Sequence, residues 1–223
     1  MMNMNKISIL ALASLVLAGA AFATQVAGKQ EPAKAPEVKK EAAAAELGKA
    51  APAFTLKDLA GKDVSLADYK GKIVVLEWFQ PGCPYCQKGY DEGGNCRTTA
   101  ERLSKDGVVY LLVNSSNADD ANAKIDANVE FFKSRKISHT VLMDTDGRVG
   151  HAYGAKSTPH CFVIDTKGNL AYRGAIDNAL EKDAKEKVNY VANAVAELKA
   201  GKAVTKAETR SYGCGVKYKE AKP

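Results

Sequence analysis

The chain has 223 residues, of which 46% are hydrophobic and 26% charged, and its 32 Lys and Arg against 26 Asp and Glu give a net charge of +6. The basic residues are spread beside Glu and Asp, with no basic block interleaved with aromatics, which argues against nucleic acid as a partner. The length suits one domain with a proper core. A short segment carrying Lys6 opens the chain, residues 7–21 are almost wholly apolar, and Ala21-Phe22-Ala23 follows as a small-x-small cleavage site. Residues 1–23 are therefore expected to be a secretory signal peptide cut after Ala23, with no stable membrane insertion afterwards and a periplasmic or secreted location. Residues 24–46 are Ala, Lys, Glu and Pro without apolar periodicity and are expected to form a flexible linker. The domain is expected over residues 47–200, opening with two short strands around Gly61 and a tight turn at 65–69.

Residues 73–79 form an apolar run long enough for a buried strand, Pro81-Gly82 a turn, and Cys83-Pro84-Tyr85-Cys86 a C-x-x-C motif. Strand, turn, C-x-x-C and a following helix make a thioredoxin-like redox arrangement. At a helix start, unpaired backbone N–H groups and the helix dipole stabilise a Cys83 thiolate. Pro84 loses no hydrogen bond in the first turn, and Cys86, one turn further in, is sheltered and close enough to close a disulfide. The helix is expected to run toward Leu103-Ser104, kinked or interrupted at Gly93-Gly94.

Further along, residues 108–114 read as a buried strand and 121–136 as a helix on the sheet. Short strands are expected at 141–143, 161–164 and 170–175, and a last long helix over 181–199. The remainder, 201–223, is a polar tail containing Cys214 between two glycines, expected to be mobile.

The five cysteines are Cys83, Cys86, Cys96, Cys161 and Cys214. An oxidising compartment permits structural disulfides, but an odd count leaves at least one thiol free, shared between chains or transient. Cys83 and Cys86 close too small a loop for a useful staple, which favours redox chemistry. A zinc site needs two more ligands, for which His160 and Cys161 are the only candidates, and Gln87 replaces the His of a haem-attachment motif. No metal and no cofactor are expected. Cys161 should point into the core; Cys96 and Cys214 either clamp together or leave Cys214 as a resolving thiol, and the spacing does not choose. Glu77, a carboxylate inside an apolar strand, needs a purpose or a partner.

The A-P-x-F-T-L-x-D opening, the G-K-x-V-V-L strand, D-T-D-G-R-V at 144–149 and C-F-V-I-D-T-K-G at 161–168 resemble the redoxin superfamily. That superfamily joins thioredoxin-like thiol reductases to AhpC/TSA-type peroxiredoxins. The resemblance implies an α/β thioredoxin-like fold: a central mixed β-sheet flanked by helices on both faces. It also implies that Glu77, six residues before Cys83, corresponds to the buried acid that takes the Cys86 proton. Thr158-Pro159 would carry a cis-proline facing the active-site cysteine, leaving Thr158 to pair with an extended substrate. The implied function is extracytoplasmic exchange of disulfides with protein thiols, served by a membrane-linked thiol reductant or a disulfide donor.

Two rival functions remain: a peroxiredoxin-like thiol peroxidase and a copper-binding thioredoxin-like protein. Aligned on the peroxiredoxin motifs, Cys83 takes the place of the threonine, Cys86 that of the peroxidatic cysteine and Pro159 that of the arginine. Both polar groups that would orient a peroxide are thus missing unless Arg173 substitutes.

Overall fold

The computed structural model describes residues 45–181 and 184–219. The signal-peptide expectation and nearly all of the linker fall outside the described residues. Seven strands form one mixed sheet in the order β2-β1-β5-β4-β3-β7-β8. They are β1 (Thr55–Asp58), β2 (Asp63–Ser65), β3 (Val74–Trp78), β4 (Val109–Asn114), β5 (Thr140–Met143), β7 (His160–Ile164) and β8 (Leu170–Gly174). β3 pairs in parallel with β4 and antiparallel with β7, so it lies inside the sheet, and all five of its residues are buried. The outermost strand, β8, alternates buried and half-buried residues, as expected of an edge with one wetter face.

Side-chain alternation along the strands divides the core in two. Val75, Phe79, Tyr110 and Leu112 face α1 (Pro84–Tyr90), α2 (Asn95–Lys105), α3 (Ile125–Ser134) and α5 (Tyr190–Lys199). Val74, Leu76, Trp78 and Phe162 face the other way, against Phe54 and Tyr153 of α4 (Arg148–Tyr153). Helices therefore cover both faces of a mixed sheet, the thioredoxin-like architecture. Glu77 has the parity of Val75 and Phe79, which puts it on the same face as α1.

The glycine pair divides the helix after Cys83 in two. α1 ends at Tyr90, Gly94 is the N-cap of α2, and a Cβ on Gly94 would strike the Gly89 carbonyl. The helix expected over 121–136 is a 3-10 turn, Ala121–Ala123, followed by α3. The helix expected from 181 begins only at Tyr190. Asn189 caps it by accepting from the Ala192 N–H, and Asn178 bonds the Glu186 carbonyl and the Val188 amide, fixing a loop where helix was expected. The short α4 was not foreseen. Nor does the tail hang free: Cys214–Gly215 form β9, paired antiparallel with β6 (Ser157–Thr158).

Candidate active site

The chain leaves β3, turns at Gln80-Pro81-Gly82 with the Cys83 N–H donating to the Gln80 carbonyl at 3.1 Å, and enters α1. Cys83 is the N-cap, extended at φ −78° and ψ 121°, with Pro84 in the first turn. Its carbonyl accepts the Gln87 N–H at 2.9 Å, the first bond of the helix. Gly82 stands where many thioredoxins carry tryptophan, and the packing gives a reason: a Cβ there would collide with the side chain of Asn122, in the 3-10 turn that closes over the site.

Cys83 is 1% exposed, and its sulfur lies 3.0 Å from the Thr158 carbonyl oxygen. The peptide between Thr158 and Pro159 is cis. A hydrogen bond with the Cys86 thiol is the largest influence on Cys83. Contacts with Thr158 and Cys214 and the Cys86 backbone act in the same direction, and against the opposing effect of burial they bring its pKa down to about 4. Cys86, fully buried, is pushed the opposite way, by burial first and then by its hydrogen bond to Cys83 and that sulfur's charge. The pair thus divides into a thiolate at the helix start and a thiol one turn deeper.

Beneath them lies Glu77, held by Tyr90 of α1 at 3.0 Å and Tyr110 of β4 at 2.5 Å, both donating to Oε2. Burial raises its pKa to about 7, and the two tyrosine hydroxyls hold it below where burial alone would leave it. Its charge in turn contributes to raising the Cys86 pKa. Tyr90 and Tyr110 escaped the sequence reading. Strand parity could have found Tyr110, because its register partner is Val75, two residues before Glu77 on the same face.

Cys96 and Cys161 belong to this lower layer. Both are buried, Cys161 is the register partner of Glu77 on β7, and burial followed by the Glu77 charge raises both thiols. Cys214 lies elsewhere, opposite Thr158 on the edge of β6, so no Cys96–Cys214 clamp is made and all five thiols are free. Thr158 is likewise not left open, since the chain's own tail occupies it.

His160 and Cys161, adjacent on β7, point to opposite faces. The His160 ring packs on Phe162, centroids 4.5 Å apart, and accepts the Lys156 N–H. Among the described residues no group of three or more His, Cys, Asp or Glu side chains is arranged to hold a metal ion. Arg173 pairs with Glu208 at 2.8 Å and donates to the Ala45 carbonyl, so its guanidinium is engaged away from Cys86. No described helix is long and apolar enough to cross a membrane.

The AhpC/TSA family model matches residues 47–173. The chain is 32% identical over 123 residues to the thiol-disulfide oxidoreductase ResA of Bacillus subtilis, covering 55% of this chain and 64% of that one. The ResA of Bacillus thuringiensis is 30% identical over 125 residues, covering 56% and 67%. The similarity thus spans about two thirds of each relative's length. The crystal structure of an uncharacterized conserved protein from Geobacillus kaustophilus superposes with a TM-score of 0.69 at 25% identity, covering 79% of this chain and 94% of that one.

Proposed function

The chain belongs to the AhpC/TSA family and is an oxidoreductase with a thioredoxin-like fold, and on that premise we propose that it exchanges disulfides with protein thiols through Cys83 and Cys86. The observation that carries the reading is the unequal ionisation of the two thiols, one near 4 at a helix N-cap and one raised well above its usual range inside the helix. A thiolate attacks, and a protonated neighbour waits to resolve.

In the reducing direction the Cys83 thiolate attacks a substrate disulfide, forming a mixed disulfide and releasing one substrate thiolate, which takes a proton from solvent. Cys86 then gives its proton to Glu77 and attacks the Cys83 sulfur. The Cys83–substrate bond breaks, the Cys83–Cys86 bond forms, and the second substrate sulfur leaves as thiolate. Run backwards, the same steps oxidise a dithiol. A membrane-linked thiol reductant or a disulfide donor resets the pair. Thr158 and Pro159 form the wall against which the substrate segment lies. Residues 1–23 serve as the export signal and 24–46 as the linker of a domain that begins near residue 47, and the activity lies outside the cytoplasm. The names of the ResA relatives support the activity.

A thiol peroxidase would need Cys86 as the ionised nucleophile beside a cationic donor, whereas Cys86 is the protonated member and Arg173 is engaged with Glu208. The test is to equilibrate the protein across a glutathione redox series and map its disulfides by mass spectrometry. A Cys83–Cys86 disulfide forming at one defined potential is the expected result. A value near −270 mV would mark a reductase and one near roughly −120 mV an oxidant. If no Cys83–Cys86 disulfide forms at any potential, the proposal fails and peroxide consumption becomes the assay to run.

A further inference from the structure

The edge of β6 beside Pro159 is where the proposed function seats an extended substrate segment, and the chain's own tail already lies there. Cys214 is the register partner of Thr158, the residue whose carbonyl is 3.0 Å from the Cys83 sulfur, and the Thr158 hydroxyl donates to the Cys214 carbonyl at 3.4 Å. The approach is built into the sequence at Gly213, where φ is +119° and a Cβ would collide with the Thr158 carbonyl oxygen. On one side of β9 the Tyr212 hydroxyl donates to Asp177 at 2.6 Å. On the other the Tyr218 ring stacks on His151, centroids 4.0 Å apart. The strand is anchored at both ends, with Cys214 set opposite the residue that touches the Cys83 sulfur.

We propose that Cys214 is a third redox thiol, carried on an internal substrate strand that exchanges its sulfur with Cys83 as a client's would. The proposal rests on the reading of Cys83 as nucleophile. Starting from the Cys83–Cys86 disulfide, Cys214 loses its proton to solvent and attacks the Cys83 sulfur. The Cys83–Cys86 bond breaks, a Cys83–Cys214 bond forms, and Cys86 leaves and takes up a proton. One disulfide replaces another with no net change in oxidation state. Burial is the first cause that holds the Cys214 thiol up at about 11, and the hydrogen bond and charge of Cys83 are the next two. Those two vanish once Cys83 is tied in a disulfide, so Cys214 becomes more acidic in the state in which it has a bond to attack. A client must displace β9 to reach Cys83, and a Cys83–Cys214 disulfide locks the strand in place.

The test uses the full chain carrying Cys86→Ser, reduced and then treated with oxidised glutathione, with linked peptides mapped under non-reducing conditions. The expected product is a Cys83–Cys214 disulfide with both glutathione thiols released. A stable Cys83–glutathione adduct without that link would overturn this proposal and leave the proposed function standing. A Cys83 that takes no glutathione would overturn both. As a second variant, Gly213→Val in the Cys86→Ser background should lift β9, lower the yield of the link and raise the iodoacetamide labelling rate of Cys83, each about tenfold. Unchanged yield and labelling, with the helical circular dichroism intact, would also sink the idea.

Discussion

The Tyr110 hydroxyl, on the strand next to β3, donates to the Glu77 carboxylate at 2.5 Å. Without Tyr110 and its counterpart Tyr90, the two largest influences that oppose burial would be gone, and the Glu77 pKa would rise. With them its pKa is about 7, close to working pH, where a proton acceptor is most effective. Tyr110→Phe removes one donor to the ionised form, so the Glu77 pKa must rise. Stopped-flow measurement of mixed-disulfide resolution against pH should show a rate that climbs through about 7 in the parent and reaches the same plateau only at higher pH in the variant. An unshifted profile would remove Glu77 from the step.

Glu77→Gln keeps the shape and an acceptor for the two tyrosines but cannot accept the Cys86 proton. Resolution should slow by on the order of tenfold to a hundredfold and lose its dependence on pH near 7, while attack by Cys83 on a small disulfide is unchanged. The same substitution has a stability signature. A carboxyl whose pKa is raised from 4.5 to about 7 on folding costs nothing below 4.5, and its penalty grows as pH rises through 7. Urea unfolding should therefore find Glu77→Gln increasingly more stable than the parent between pH 4.5 and 8, the gap approaching about 3 kcal/mol. A constant gap across that range would mean that Glu77 is not neutral in the fold.

Between pH 5 and 8 the reduced pair should hold one proton, on Cys86, because the Cys83 pKa lies at about 4 and that of Cys86 well above 9. Two electrons and one proton fix the pH dependence of the potential at about −30 mV per unit, against about −59 mV if both thiols were protonated. The folding linkage has the opposite sign to that of Glu77. Depression of the Cys83 pKa from 9.0 to about 4 stabilises the reduced fold above pH 9, and this stabilisation fades as pH falls toward 4. A redox titration at several pH values reads the slope directly, and a value near −59 mV would contradict the thiolate assignment.

Asp144 ties the D-T-D-G-R-V segment to the sheet. It is 1% exposed and accepts from the Ser115 hydroxyl at 2.6 Å, the Gly150 N–H at 2.8 Å and the Val149 N–H at 3.1 Å. Ser115 in turn accepts from the Trp78 indole at 2.9 Å. Asp144→Ala leaves these donors without their acceptor inside the fold and should cost about 2–4 kcal/mol in urea unfolding. A loss below about 0.5 kcal/mol would show that water replaces the carboxylate.

The parts of the site written into contiguous residues were legible. A buried strand, a turn and C-x-x-C put Cys83 at a helix start and Cys86 one turn in, because those positions follow from local geometry. Glu77 was conspicuous as a charge in an apolar run. Other features depend on long-range packing and left weaker marks. α4 has six residues with glycine at either end, too short for a visible periodicity. The helix expected from 181 starts late because Asn178, just before it, holds residues 186 and 188 in a loop. β9 is two residues long, with Cys214 between two glycines, which by composition reads as a mobile tail. What holds it is the edge of β6 and the partners of Tyr212 and Tyr218, none of them adjacent in sequence.

The position of β9 also bears on the order of assembly. Every strand of the seven-stranded sheet ends by Gly174, and the active-site helix lies among residues 84–90, whereas the covering strand is made of residues 214–215. A chain that emerges N-terminus first can pair its sheet and set Cys83 at its helix before the segment that shields it has been synthesised. In that order of emergence the most acidic thiol is bare until residues 214–215 pair with β6.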